Sequence, residues 1–343
     1  MSSTDPAPAI PETRTRFRAH PSFVPFVLAA LGLLLIGALV AGVGVGTIQL
    51  SPADVFRGIF GHADFQWHRV VWDVRLPRVL LAGMVGICLA TSGVILQAVM
   101  GNPLADPGII GISAGAGLFG IVILIVFPTM FMATPLFAFI GAMVAAVTIH
   151  ALAWRGGIQP VRVILAGVAV SALCSAGISA VMVLYSDRVQ GALLFMNGSM
   201  SLKSWNHVRL LWPYALVAVI AAVLLPRRLD LIVLGDDISR SMGMDVRANR
   251  LLLTGIAALL AAGAVSAVGL LGFVGLIVPH MMRLTVGSSH RVLMPACLLF
   301  GAGLVIVSDT MARTLFSPAD LPVGIIMAAL GVPFFLFLLR RAL

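Results

Sequence analysis

Apolar runs of membrane-crossing length divide almost the whole chain, and they constrain its fold more than any other feature. They lie at about 23–46, 78–100, 108–128, 134–154, 161–185, 208–226, 249–271, 272–286, 292–312 and 321–340. Crossing a bilayer takes about 20 apolar residues in a helix. With hydrocarbon on all sides, a spanning backbone must satisfy its own hydrogen bonds. The expected fold is therefore an all-α integral membrane protein of about ten transmembrane helices. The eighth run is short and carries Pro279, so a broken or tilted segment is expected there. Composition agrees: 10% of the 343 residues are charged, against roughly a quarter in soluble domains.

No stretch is long and polar enough for a separate soluble domain. Residues 1–22 contain Pro6, Pro8, Pro11, Arg14, Arg16 and Arg18 and read as a disordered cytoplasmic tail. Residues 23–343 read as a single transmembrane domain. The run from Phe23 is too long for a signal-peptide core. The net charge of +9 is dispersed at loop ends and reads as a topology signal, not a nucleic-acid surface. Most basic residues fall in loops that are cytoplasmic if both termini are inside. Cys88, Cys174 and Cys297 sit in apolar runs without metal-ligand spacing and read as small hydrophobes.

One break stands out. Gln97–Gly117 reads QAVMGNPLADPGIIGISAGAG, with two proline-containing interruptions followed by small residues. Proline removes a backbone donor, and irregular backbone at membrane depth survives only in protein or beside a water-filled cavity. A pathway or gate is one reading; a tight hairpin at the membrane surface is the other. Gly269, Gly272 and Gly275 recur every three residues and suit helix packing or a bend. Trp67, Trp72 and Trp205 mark two long loops as interfacial. In the loop Arg227–Arg250, Asp236 and Asp237 suit a helix start and Gly243 a stop. A short helix there could dock a partner or lie on headgroups.

Chemistry is sparse. No catalytic constellation is present, and His280 and His290 lack acidic or Cys neighbours at ligand spacing. The sole lysine, Lys203, follows Leu202 and not the glycine of a P-loop. Asp309 is nearly alone as an ionisable group within a run, and Arg313 lies four residues on, so the two read as a structural pair. No proton or sodium relay emerges, and a transporter of this kind needs an external motor.

Several motifs occur in order: Arg75-Leu-Pro-Arg78, Ser92-Gly93, Gln97, Asn102-Pro-Leu-Ala-Asp-Pro107 and Gly111-Ile-Ser-Ala-Gly115. Gly272-Phe-Val-Gly-Leu-Ile-Val-Pro-His280 follows, with Arg283, His290-Arg291, Ser308-Asp309, Arg313, Leu321-Pro-Val-Gly324 and Gly331-Val-Pro-Phe334. From about residue 25 onward the chain resembles the permease subunits of iron-chelate and cobalamin importers, the type II or FecCD family of ABC importers. The resemblance implies a ten-span subunit, paired with a second permease as a homodimer or paralogous heterodimer. Two cytoplasmic ATPase subunits would hold the ATP and Mg, this chain binding no cofactor or metal itself. A periplasmic or lipid-anchored binding protein would deliver substrate at the bacterial inner membrane.

It also implies roles. Arg75, Arg78 and Arg313 would meet the binding protein, and Asn102 and Leu104 would sit at the cytoplasmic gate. Gly235, Asp236, Asp237, Ile238, Ser239, Arg240, Met242 and Gly243 would form the loop that couples to the ATPase. Many members carry Arg where Gly101 stands. The expected cargo is an iron-siderophore, with haem or cobalamin as the alternative. An ion-coupled secondary carrier is the competing class.

Overall fold

The computed structural model describes residues 23–46, 48–61, 66–108, 111–153, 160–317 and 319–342. The tail expected at 1–22 lies outside them. Fourteen α-helices make up the described chain: α1 (Phe23–Gly44), α2 (Pro52–Phe60), α3 (Leu76–Met100), α4 (Ile112–Val126), α5 (Thr134–Ala153), α6 (Pro160–Leu184), α7 (Val189–Met196), α8 (Trp205–Leu224), α9 (Pro226–Val233), α10 (Asp236–Ser241), α11 (Val246–Val268), α12 (Val274–Val286), α13 (His290–Thr314) and α14 (Val323–Ala342). Seven helical segments are long and apolar enough to cross a membrane, and three more, at 112–126, 274–286 and 323–337, are apolar but shorter. Together they fall on the ten apolar runs. The chain is a multi-pass membrane protein.

Helix α3 is the centre, and α13, α11, α8 and α12 pack around it. Small residues permit this. A Cβ on Gly86 would collide with the Gly301 carbonyl of α13, and one on Gly93 with the Gly275 carbonyl of α12. Close backbone approach through glycine is how helices associate without a hydrophobic driving force. A second group, α4, α5 and α6, packs together, with α11 bridging to it. Helices α1 and α6 lie outermost and expose Leu33, Leu34, Leu165, Leu173 and Val183. Apolar side chains on that perimeter suit lipid or another membrane subunit.

The bundle has two ends. Helix α13, 25 residues long, spans about 37 Å at 1.5 Å per residue. Its first residue meets Asp230 on α9, and Asp309 near its far end meets Arg78 on α3. Among the described residues of the loop 46–77 are α2 and a π-helical turn, Val70–Arg75, that runs straight into α3. Helix α2 starts at a capping box: Ser51 accepts from the Asp54 amide, and the Asp54 carboxylate accepts from the Ser51 amide.

The glycine-rich stretch after α11 is a break. Gly269 has φ +88° and Phe273 has φ +68°, a region where a bulky side chain is strained. Pro279 lies inside α12 and does not interrupt it. A proline there leaves the carbonyl four residues earlier without its usual donor. That carbonyl is Gly275, and the Gln97 Nε2 of α3 donates to it at 2.9 Å.

Candidate translocation site and its two ends

Three interrupted backbones meet inside the bundle. The end of α7, the break between α11 and α12, and the start of α14 touch main chain to main chain. Ser199 donates to the Val268 carbonyl at 2.9 Å, Leu270 to Phe195 at 2.9 Å and Gly324 to Gly198 at 3.3 Å. Gly198, Gly269 and Gly324 leave no room for a Cβ. A cavity of about 280 Å³ opens against this junction, lined by Gly108, Ser113, Asn197, Leu270, Phe273 and Gly324 among others. All three interruptions are thus hydrogen-bonded by protein and bordered by space, as irregular backbone within a membrane requires.

The 97–117 stretch reaches the same cavity through Gly108 and Ser113. Helix α3 ends at Gly101, φ +58° and ψ 24°. That left-handed closing position favours glycine, which gives a local reason for Gly101. Asn102 then forms an Asx turn, its Oδ1 accepting from the Leu104 amide at 2.9 Å. Asn102 and Leu104 are partly exposed, while Ala105, Asp106 and Pro107 are buried. Asp106 accepts from the Gly108 amide at 2.8 Å. The break therefore buries its middle, 105–107, in the protein, while Gly101, Pro103 and Gly108 stay exposed. Beside it, Arg283 of α12 donates to the Oε1 of Gln97. Arg283 is thus drawn inward to α3.

At the Arg78 end, the three motif arginines are all engaged within the chain. Arg75 is buried and donates to the carbonyls of Val43, Gly44 and Ile48 at 2.8, 3.0 and 2.6 Å. Arg313 donates to the Gly42 carbonyl and, at 3.4 Å, to Thr310. Together they close the C-terminus of α1, whose last carbonyls have no helical partner. Arg78 pairs with Asp309 at 2.8 Å and with Asp320 at 2.9 Å. The partner of Asp309 is thus Arg78 on another helix, and not Arg313 as the four-residue spacing suggests. Ser201 also donates to Asp320, at 2.6 Å. Burial would raise the Asp320 carboxyl, but the Arg78 and Ser201 hydrogen bonds hold it below its ordinary value. Asp320 and Ser201 carry no motif; their roles come from contacts over 242 and 119 residues. Nearby, the Trp205 indole donates to the Trp72 carbonyl at 2.9 Å, so two anchoring tryptophans meet.

At the opposite end, Arg227–Arg250 folds into α9, α10 and the start of α11. Gly235 at φ +100° opens α10, with Asp236 and Asp237 in its first turn. Gly243 at φ +81° closes it, its amide donating to Arg240. Ser239 is buried and its hydroxyl lies 2.8 Å from the Leu231 carbonyl and 2.7 Å from that of Gly235. Arg250 pairs with Asp236 at 2.8 Å, and Arg240 with Asp237 at 3.3 Å. Ile238 and Met242 project outward, 50% and 61% exposed. Asp230 accepts from both the amide and the Nδ1 of His290, at 3.0 and 2.6 Å, tying α9 to α13. His280 sets its ring edge-on to Phe334.

Comparison with known proteins agrees with this architecture. The chain is 36% identical over 328 residues to the Fe(3+)-citrate import system permease protein YfmE of Bacillus subtilis, covering 95% of this chain and 97% of that one. It is 38% identical over 323 residues to the hemin transport system permease protein HmuU of Yersinia pestis, covering 91% and 95%. Among solved structures, a metal-chelate type ABC transporter in an inward-facing conformation matches with a TM-score of 0.80 and 28% identity. That match covers 92% of this chain and 99% of the other. The description of the FecCD transport family matches residues 33–341, and the chain belongs to that family.

Proposed function

We propose that this chain is the permease subunit of an ATP-driven importer that moves an iron-siderophore across the bacterial inner membrane by alternating access. The observation that carries the proposal is the junction of interrupted helices around a cavity with no charged side chain in its lining. Such a surface lets a bulky chelate pass without holding it. The family supports the class of transport, and the Fe(3+)-citrate relative supports an iron chelate as cargo. Haem is the second reading, favoured by the similarity to the hemin permease.

In this proposal residues 23–343 form one permease domain with ten spans and both termini in the cytoplasm. It pairs with a second permease, identical or paralogous. Asn102 and Leu104 stand at the cytoplasmic gate. The segment 235–243 docks on the ATPase pair, which holds the ATP and Mg, and Ile238 and Met242 supply the apolar contact. The Arg78 end receives the loaded binding protein. Arg75 and Arg313 shape that face by holding the end of α1, and Arg78 fixes the loop around Asp320.

The test is ATP hydrolysis by the permease co-purified with its ATPase and reconstituted in liposomes, as loaded binding proteins are added one at a time. The proposal expects stimulation by a ferric-siderophore binding protein. Stimulation by a haem-loaded protein alone moves the assignment to haem. Failure of any ATPase to co-purify contradicts the class.

A further inference from the structure

A second cavity, of about 320 Å³, lies at the Arg78 end and borders the junction through Phe195, Ser199 and Val268, sharing no lining residue with the first. The end of α4, the 3₁₀ turn Pro128–Ala133, the start of α5, helix α7, the end of α11, the start of α8 and the loop 199–203 surround it. Most of its surface is apolar, and Phe131, Met132 and Leu202 at its edge are highly exposed. Lys203, Thr134, Ser199, Ser201, His207 and Ser266 are the polar residues of its lining, the Ser266 hydroxyl being committed to the Gly263 carbonyl at 2.8 Å.

Two of them stand out. Thr134 is buried, and its hydroxyl has no hydrogen-bond partner. Lys203 is half-buried, and no carboxylate lies in the lining with it. A charge withdrawn from water is stable only when paired. The preceding residue shows that the position is imposed. Leu202 has φ +58° and is 96% exposed, so its strained backbone is not repaid by burial of its own side chain. Strain of this kind persists where the surroundings over-determine the chain, often at ligand sites. Ser199 contributes by accepting from the Ser201 amide at 3.1 Å, which shapes the turn leading to Lys203.

We infer that this cavity holds the headgroup of an anionic phospholipid, with the phosphate against Lys203 and Thr134 and an acyl chain crossing the rim at Phe131 and Met132. The phosphate would supply the missing counter-charge and an acceptor for the threonine hydroxyl. The apolar rim favours a lipid over a freely soluble anion, because the surrounding helices cross a bilayer. At 320 Å³ the space falls at the lower end of the range of small-ligand sites, about 300–1,000 Å³.

Burial pushes the Lys203 ammonium down to about 8 from an ordinary 10.5. Without a bound anion, the folded state holds its proton less tightly than the unfolded state. This residue's contribution to stability therefore rises with pH between about 8 and 10.5, and the folded state pays the penalty below 8. A bound phosphate offsets that penalty. Headgroup selectivity should accordingly fade as pH rises through the lysine's titration. His207 is the other titratable group in the lining.

The experiment uses the full chain in detergent, titrated with phosphatidylglycerol, phosphatidylcholine or inorganic phosphate and followed by native mass spectrometry. Amine labelling of Lys203, the only lysine, reports occupancy separately. The wild type is expected to retain phosphatidylglycerol over phosphatidylcholine and to be protected from labelling by the former. Lys203→Met and Thr134→Val should each reduce that preference, the first by about tenfold, the worth of one charge-assisted contact. Equal retention of the two lipids, or an unchanged preference in Lys203→Met, overturns the inference. Protection by inorganic phosphate but not by phosphatidylglycerol also overturns it, making the cavity a site for a soluble anion.

Discussion

Arg78 holds two carboxylates that differ sharply in environment, and the difference makes its pairings separable by measurement. The Asp309 side chain is 2% exposed and that of Asp320 35%. Breaking a buried pair costs up to about 3–5 kcal/mol, the upper end applying only where no second partner remains, and Arg78 keeps Asp320. An exposed pair is worth about 0–1 kcal/mol. Thermal unfolding in detergent should therefore show a large loss of stability for Asp309→Asn and a small one for Asp320→Asn. Equal losses would mean that burial does not distinguish the two. Gln97 gives a second test, because it serves both the Gly275 carbonyl opposite Pro279 and the Arg283 guanidinium. Gln97→Leu should destabilise by about 1–3 kcal/mol, the cost of stranded buried polar groups. A neutral outcome would show that water replaces both bonds.

At the scale of elements, the ten apolar runs were legible because a run of that length has few ways to satisfy its backbone in lipid. The start and stop of α10 were legible from Asp236, Asp237 and Gly243, whose effects are local. Long-range pairings were not. Asp309 and Arg313 share one face of α13 and invite pairing by spacing, yet Arg78, distant by 231 residues, approaches more favourably from α3. Pro279 suggested an interruption, and nothing nearby in the sequence announces that Gln97 will serve the freed carbonyl. Nor does Arg75 announce that it closes α1. The docking proposed for α10 makes its own prediction. Ile238→Glu with Met242→Glu places charge on two exposed side chains, so folding should be unaffected while ATPase co-purification falls. Normal recovery of the complex would remove this surface from the proposed interface.

Across the whole molecule, α13 is pinned at both ends, by Asp230 to α9 and by Asp309 to α3. A rigid rod fastened this way gives the loop that would bind the ATPase a direct mechanical connection to the face that would receive substrate. Between them lies the cavity where interrupted helices meet, and the chain carries no P-loop lysine of its own. In the proposed function a partner's ATP hydrolysis drives transport through this cavity. The decisive measurement is uptake of a radiolabelled ferric chelate into proteoliposomes containing the permease, its ATPase and the loaded binding protein. Accumulation is expected when ATP is present on the ATPase side, persisting after uncouplers collapse all ion gradients. Accumulation by the permease alone on an imposed ion gradient, without ATPase or ATP, would contradict it.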